Sequence, residues 1–593
     1  MATKTVVLGI GGALGHDGNA ALIVDGELIA SSQEERFTRV KHDGRFPALA
    51  IQDCLQIAGL KPQDVTACVF AEKPIQSSLF KTTGRPNSQA SRWLGKLLPS
   101  AWSGSYSESA RRILSNARFY YAWHHFSHVA GAFCTSPFDS AAFLCVDGKG
   151  EDLNASIGRV SHNHLEMTHE QPYENGLGLF YTLVTIYLGF PSYGSEYKVM
   201  GLAPYGKPVY AARLRKMTRQ DAFGGLRLIE QIAFTYKSLT PAVKLVAEAT
   251  GIPPRTEEIP LNDDYVNIAA SLQHIFEEEI FKMADFARQQ TGEENLIFCG
   301  GCAQNCVVAG KLRESGIYKG VFNSPVGGDM GSGLGAAILY ERERNKGRRI
   351  TLETRGFYLG SEPGEAPAEA EPYRLRYDGT IHEFAAKMLA KGKIIGWVRG
   401  GMELGARALG ARSILADPRS ADMQSMLNLK IKFRESFRPF APSILVEDVS
   451  NWFDTNEPSD YMQYTAYLRP EHRFRGPEEF KSFRERLDYP RCAVPSIVHV
   501  DYSARLQTID AKIHPDFHRL ISEFKKITGI PIVINTSFNV SGQPIVRTGK
   551  EAWECFLNTD MDILVVNDSA FRNPFERTRQ EKLEWLKQFA SAA

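Results

Sequence analysis

The stretch SAAFLCVDGKGEDLNASIGRV, residues 140–160, decides how the fold is read. An apolar run from Ala141 to Val146 meets an Asp-Gly pair at 147–148, and a second β-favouring run follows and ends at Val160. Asp-Gly between two such runs signals a hairpin, because a tight two-residue turn needs positive φ. The same pattern stands earlier in the chain. TVVLGIGG (5–12) leads into AALIVDGELIASS (20–32), where Asp25-Gly26 separates two apolar runs. A strand, glycine loop and helix theme returns in NLIFCGG (295–301) and SPVGGDMGSGLGAAILY (324–340). Recurrence of one pattern points to internal duplication. Between the copies, YVNIAASLQHIFEEEIFKMADFARQQT (265–291) spaces its apolar residues by three and four and stops at Gly292, which predicts a long helix. Strands alternating with helices make the fold α/β.

The chain has 593 residues, enough for two or three domains with ordinary cores. Residues 359–372, containing GSEPGEAPAEAEP, read as a linker, which divides the chain into domains 1–358 and 373–593. The second opens with the strand KIIGWVRGG (393–401), contains the buried strand IPIVINTSFN (530–539), and ends in a surface helix. Lys plus Arg number 69 against 68 Asp plus Glu, so no global charge calls for nucleic acid or an anionic membrane. Nine scattered cysteines in apolar runs read as buried free thiols. CGGC at 299–302 lacks a second pair to complete a tetrahedral zinc site. With no secretory h-region and no apolar run of about 18 residues, the expected location is the cytoplasm, away from any membrane.

Chemistry concentrates in a few places. In WHHFSH (123–128), His124 and His128 are i and i+4 and share one helix face, while His125 is rotated away. Asp147 and Asp329 sit at glycine turns after apolar runs, where α/β folds gather ligand groups. Two imidazoles and two carboxylates suit Fe(II), Mn(II) or Zn(II) with open positions; histidines merely hydrogen-bonded at a helix start remain the plain alternative. Four glycine-rich loops at strand ends, none a P-loop or dinucleotide fingerprint, suggest a nucleotide cleft. In NLKIKFRESFRPFAPS (428–443) the alternation Lys-Ile-Lys-Phe-Arg would direct cations to one side of an extended strand, which suits a triphosphate. Arg407 and Arg412 precede it in ELGARALGARS, and Arg505, Ser537 and Asn539 lie beside later apolar strands.

Taken together, HDGNAALIVDGELIASSQEERFTRVKHDGRFP, HHFSHVAGAF, EYKVMGLAPYG, GGCAQNCVVAGKL, GDMGSGLGAA, MELGARALGARSILADPR, KIKFRESFRPFAPS and NTSFNVSGQPIV resemble the ATP-dependent O-carbamoyltransferases of nodulation, cephamycin and tobramycin biosynthesis. Tyr502 in HVDYSAR departs from that pattern, which has a smaller residue there. The resemblance implies an N-terminal duplicated actin-like (ASKHA) domain similar to the tRNA threonylcarbamoyl transferase, and a C-terminal YrdC-like domain similar to the threonylcarbamoyl-adenylate synthase. It implies that the C-terminal domain makes carbamoyl-adenylate from ATP and carbamoyl phosphate, and that the N-terminal domain transfers the carbamoyl group to a small-molecule alcohol. It implies Fe2+, or another divalent metal, on His124, His128, Asp147 and Asp329.

His16 is the expected base for the acceptor hydroxyl, and His125 the expected contact to the substrate or intermediate. Lys198, Gly300, Gly301 and Asn305 are expected nucleotide contacts in the first domain. Arg407, Arg412, Lys432, Arg434, Arg438, Arg505, Ser537 and Asn539 are expected to hold ATP with Mg2+ and carbamoyl phosphate in the second. The assembly admits a homodimer. Residues 74–117, the least family-like, are the expected shapers of the acceptor pocket. An actin-like small-molecule kinase, a tRNA threonylcarbamoyl-transferase-like enzyme and a nucleotide-gated binding module are the rivals; the first leaves residues 373–593 unexplained and the second predicts a basic face.

Overall fold

The computed structural model describes residues 4–12, 15–72, 105–151, 153–172, 176–190, 194–220, 225–229, 240–256, 258–345, 356–474, 476, 479–574 and 577–590. The chain gathers into two compact units: Met1–Glu34, Gly44–Leu352 and Lys481–Arg486 form the first, and Glu35–Asp43, Glu353–Phe480 and Leu487–Ala593 the second.

The first unit repeats one topology. Strands β1 (Val6–Gly11), β2 (Asn19–Val24) and β3 (Glu27–Gln33) form an antiparallel meander, to which β4 (Ala67–Phe70) and β5 (Arg118–Tyr121) add in parallel in the order β3-β2-β1-β4-β5. Strands β6 (Ser140–Gly150), β7 (Leu153–Ser161) and β8 (Leu165–Pro172) form a second meander. After a small hairpin of β9 (Thr218–Gln220) and β10 (Leu226–Leu228), β11 (Asn295–Cys299) and β12 (Gly320–Asn323) join that meander in parallel, in the order β12-β11-β6-β7-β8. The two sheets correspond strand for strand, which is the duplicated actin-like arrangement. The Asp25-Gly26 turn forms as its sequence dictates, with φ of 51° and 86°.

The second Asp-Gly pair behaves differently. Strand β6 continues to Gly150, the ladder passes from Val146–Ala155 directly to Gly150–Leu153, and the reversal falls at Glu151 with φ 56°. Asp147 and Gly148 therefore lie in an irregular stretch of the strand, not in a turn. Extra residues in a ladder re-aim a side chain, and here they free Asp147 from cross-strand pairing.

Among the helices of the unit are α1 (Ala48–Ile57), α2 (His124–Cys134), α3 (Leu177–Tyr187), α4 (Asp263–Thr291), α5 (Cys306–Glu314) and α6 (Ser332–Arg344). The long helix α4 starts on Asn262, whose side chain accepts from the Tyr265 N–H, and ends on left-handed Gly292. Helix α2 packs Val129, Ala132 and Phe133 onto Phe143, Cys145, Ile297 and Cys299 of β6 and β11. Helix α6 lies backbone-close to its neighbours: a Cβ on Gly335 would sit 1.7 Å from the Ser127 carbonyl oxygen of α2, and one on Gly9 of β1 would sit 1.9 Å from the Gly333 oxygen. Only glycine permits such an approach.

The second unit is an eight-stranded mixed sheet. It uses β13 (Ile395–Val398), β14 (Arg412–Ala416), β15 (Ala441–Leu445), β16 (Tyr464–Tyr467), β17 (Ser503–Ile509), β18 (Ile532–Ser537), β19 (Ile563–Val566) and β20 (Ser569–Arg572) in the order β16-β17-β15-β18-β14-β13-β19-β20. Helices α7 (Ile381–Ala390) and α8 (Pro515–Thr528) cover one face through Ala385, Leu389, Phe517, Leu520 and Phe524. The other core holds Ile414, Ile444, Ile534, Phe538 and Leu564 with Trp553 and Phe556 of α9 (Gly549–Leu557). Helix α10 (Arg579–Ala590) follows near the C-terminus. No helix among the described residues is long and apolar enough to cross a membrane.

Two expectations change here. The stretch 359–372 is built into the second unit: Gly360 and Met402 exchange backbone hydrogen bonds, Pro363 accepts from Gly549, and Ala370 is fully buried in the core. Ala366 and Ala370 pack against the core, and Ala368–Tyr373 coils into a short 3-10 helix that contains Pro372. Residues 428–434 are not a strand, because Leu427–Ile431 closes a wide helical turn and Phe433 adopts φ 49°. The basic side chains consequently spread from a turn.

At the end of β13, Arg399 and His382 both bind Asp516, with His382 Nε2 2.6 Å and Arg399 NH2 3.2 Å from Asp516 Oδ1. Burial alone would raise the Asp516 pKa, but these two partners outweigh it and hold it well below the ordinary value. A depressed carboxylate stabilises above its unfolded pKa, and that stabilisation fades as pH falls through the folded value. Asp516→Asn is therefore expected to be less stable than the wild type at pH 7, and the gap is expected to narrow progressively below about pH 4. Urea melts at pH 7 and pH 3 check this; a gap independent of pH would show that the ion pairs are not its source.

Candidate metal centre and anion site

Trp123 in extended conformation starts α2, so His124 and His128 stack one turn apart and point to the same side. Both are buried, and their Nε2 atoms lie 2.9 Å apart. The irregular stretch of β6 brings Asp147 Oδ2 to 3.1 Å from His128 Nε2 and 3.5 Å from His124 Nε2. The glycine loop before α6 brings Asp329 Oδ1 to 3.2 Å from each of the same two nitrogens. Two imidazoles and two carboxylates from three separated segments thus aim one atom each at a common point.

The spacing fits a small divalent ion. With metal–ligand bonds of about 2.1 Å, neighbouring ligand atoms stand about 3.0 Å apart in an octahedron and about 3.4 Å apart in a tetrahedron. The five distances above span 2.9–3.5 Å.

Electrostatics agrees. Burial lowers the His124 and His128 pKa values, but the two carboxylates more than reverse this, raising His124 well above its ordinary value and His128 to about 9. Burial and the mutual repulsion of the two carboxylates are likewise overcome, so Asp147 and Asp329 are held low. The pocket is built for positive charge. Asp147 Oδ1 is held by the Gly148 and Gly301 N–H groups at 2.8 and 3.3 Å.

The two expected catalytic histidines flank this cluster. His16 Nδ1 lies 3.2 Å from Asp17 Oδ2 and 3.2 Å from Asp329 Oδ2, and its side chain is 24 % exposed. His125 is buried, its Nδ1 2.8 Å from the Ser156 hydroxyl, and burial together with His124 pushes its pKa down to about 3. It stays neutral, and its Nε2 is buried without a hydrogen-bond partner among the described residues.

The expected nucleotide contacts of the first unit divide. Gly301 reaches the cluster through Asp147, and Gly300, at φ 88°, donates to the Gly327 carbonyl. Asn305 caps α5 and pairs with Gln273 at 2.9 Å, so its amide is used inside the protein. The half-buried Lys198 lies over the Phe190 ring, 5.5 Å from its centre. All nine cysteines are free, and Cys299 sits beside Cys145 in the sheet as a core thiol. Of the expected pocket-shaping stretch 74–117, residues 74–104 lie outside the described residues.

In the second unit, Lys432, Ser537 and Asn539 come together. The Lys432 ammonium donates to the Ser537 carbonyl at 2.6 Å, to Asn539 Oδ1 at 2.7 Å and to the Asn539 carbonyl at 2.9 Å. Burial, with Arg434, Arg438 and Lys41 nearby, pushes its pKa well below the ordinary value. Arg434 stacks over the Phe440 ring at 4.7 Å with its Nε bonded to Asn428 at 2.7 Å, and Arg438 lies 3.5 Å from Glu435. Arg407, on the loop before β14, and Arg505, on β17, are half-buried. Arg412 must be withdrawn from the phosphate-binding set. It is fully buried, and its guanidinium donates to the carbonyls of Arg547, Gly400, Ala411, Ser361 and Arg399 at 2.8–3.3 Å. The neighbouring backbone thus engages all three guanidinium nitrogens.

Three residues that the sequence did not single out support the first site. Asn19 is buried and ties the Asp17 and Asp329 carbonyls to the first turn of α6. Asn154 holds the Asp147 carbonyl at 2.6 Å. Buried Glu72 approaches His124 Nδ1 at 3.8 Å. An asparagine at the head of an apolar strand, as in HDGNAALIV, was the available signal for Asn19, since strands disfavour it.

Comparison with known proteins adds an independent view. Residues 6–85 and 96–338 match the family described as "Carbamoyltransferase N-terminus", and residues 386–573 match "Carbamoyltransferase C-terminus". The chain is 38 % identical to the uncharacterized protein sll1178 of Synechocystis over 99 % of both chains. It is 33 % identical to the nodulation protein NolNO of Sinorhizobium fredii, covering 93 % of this chain and 78 % of that one. It is 26 % identical to the 3'-hydroxymethylcephem-O-carbamoyltransferase of Streptomyces clavuligerus, covering 94 % and 98 %.

Proposed function

Because the chain belongs to the carbamoyltransferase family, we propose that it is an ATP-dependent O-carbamoyltransferase acting on a hydroxyl of a small-molecule natural product. The convergence of His124, His128, Asp147 and Asp329 on one point is the observation that carries this reading, since an actin-like kinase has no use for it. Bound there, a divalent metal, Fe2+ in the favoured case, would supply Lewis acidity toward the carbamoyl oxygen.

The second unit performs activation. Water releases phosphate from carbamoyl phosphate, the resulting carbamate oxygen attacks the α-phosphorus of ATP, and pyrophosphate leaves; Mg2+ bound to the nucleotide would screen the charge of its phosphates. The product is carbamoyl-adenylate. Arg434, Arg438 and the Lys432–Ser537–Asn539 cluster meet the anions, because an anion relieves the crowding of cations around buried Lys432. Nitrogen donation deactivates a carbamoyl carbonyl, so a good leaving group is needed, and AMP provides it.

The first unit performs transfer. The alcohol oxygen attacks the carbamoyl carbon, AMP departs, and the hydroxyl proton passes to His16. Asp17 and Asp329 both meet the His16 ring at Nδ1, which leaves Nε2 to take the proton. If the Ser156 hydroxyl donates to His125 Nδ1, the neutral ring carries its proton on Nε2 and offers a donor to the developing oxyanion. ATP and carbamoyl phosphate as substrates suit a cytoplasmic enzyme.

Incubation with ATP, carbamoyl phosphate and labelled pyrophosphate tests the reading. Carbamoyl-phosphate-dependent ATP–pyrophosphate exchange is expected, followed by a mass gain of one carbamoyl group on members of an alcohol panel. Folded protein that exchanges nothing would sink it.

A further inference from the structure

Nine residues from the N-terminal part of the sequence, Glu35–Asp43, belong to the second unit. They form a strap pinned at several points. Arg36 is 1 % exposed and donates from NH2 to the Gly405 carbonyl at 2.8 Å. Arg39 donates to the Ile545 carbonyl at 2.8 Å and the Pro544 carbonyl at 2.8 Å, and stands 3.4 Å from Glu551. The Arg547 guanidinium lies over the Phe37 ring, 4.7 Å from its centre. The His42 N–H closes the strap back on Glu35 at 2.9 Å. Arg39 and His42 both adopt left-handed backbone, φ 61° and 55°. L-residues take that conformation at a cost, and it persists where surrounding contacts enforce it.

The pinned loops matter. Gly405, at φ 103°, leads into Arg407. Pro544 and Ile545 follow the Ser537–Asn539 turn that holds Lys432, and the Asn539 amide donates to the Gln543 carbonyl at 2.6 Å. The strap therefore grips the loop that carries Arg407 and the loop that follows the turn holding Lys432.

Building on the carbamoyl-adenylate reading above, we propose that the strap is a working part of the activation site, in which Arg36 and Arg39 are positioning residues for the two loops they hold. The arrangement has a chemical rationale, because a planar guanidinium fork fixes several carbonyls at once.

The full-length Arg39→Met protein tests this. Amide hydrogen exchange over residues 404–411 and 540–546 is expected to speed up about tenfold while β13 and β18 keep their protection. Its pyrophosphate exchange is expected to lose about 30-fold in kcat. Unchanged loop protection in Arg39→Met overturns the inference. Wild-type protein without any exchange would instead overturn the carbamoyl-adenylate reading, and loop protection would still decide the strap.

Discussion

The His128→Ala protein is expected to emerge from purification without its divalent metal and to transfer carbamoyl groups at least about 10³-fold more slowly, while its ATP–pyrophosphate exchange stays within about twofold of the wild type. His128 Nε2 is 2.9 Å from His124 Nε2 and 3.1–3.2 Å from both carboxylates, so its loss opens the cluster from the middle. Outer partners of a metal already change affinity by about 10- to 100-fold, and a direct ligand weighs more. Removing it also leaves Asp147 and Asp329 facing each other in a buried pocket with one imidazole fewer to offset them. Metal analysis, transfer assays and exchange assays on one preparation separate the outcomes. Exchange retained at full rate shows that the protein is folded and the activation site intact. Exchange lost along with transfer, in protein whose circular dichroism is unchanged, would refute the division of labour between the units.

The reciprocal result is expected of Arg434→Ala: exchange falls about 10²–10³-fold, whereas metal content is unaltered. The Phe440 ring and the bond to Asn428 fix the plane of the Arg434 guanidinium. A planar fork held in advance stabilises developing phosphate charge without reorganising at the moment of reaction. Arg434→Lys is expected to recover only part of the loss, because an ammonium does not rest on the ring in the same way or offer two parallel donors. Exchange that survives Arg434→Ala would move the ATP site elsewhere in the unit.

Much of this was legible from local chemistry. Asp25-Gly26 and Gly292 announce a hairpin and a helix end because positive φ is a local demand. The i, i+4 histidines announce a shared face because helical geometry is local too. Reading fails where distant partners decide. Asp147-Gly148 has the same residues as a hairpin turn, yet the pairing of Gly150 with Leu153 of β7 carries the strand past it. Lys-Ile-Lys-Phe-Arg alternates like a strand, but the Lys432 ammonium is drawn to the Ser537–Asn539 turn and the backbone coils. Arg412 looks like a ligand for phosphate in any sequence; only the surrounding carbonyls reveal that it is structural. The strap is illegible for the same reason, since nothing in ERFTRVKHD names its partners.

Those partners also set a schedule. Arg39 and the Ile545 carbonyl it binds are 506 residues apart. At translation rates of ~5–20 residues per second, about 25 to 100 s pass between the synthesis of one and of the other. Through that interval the N-terminal segment waits beside a growing chain with its arginines in water, and the unit it completes cannot close. A chain truncated before residue 544 never receives the anchor, and a second unit expressed from residue 353 onward begins without the strap. The second unit therefore closes only after residues 506 positions apart have both been made.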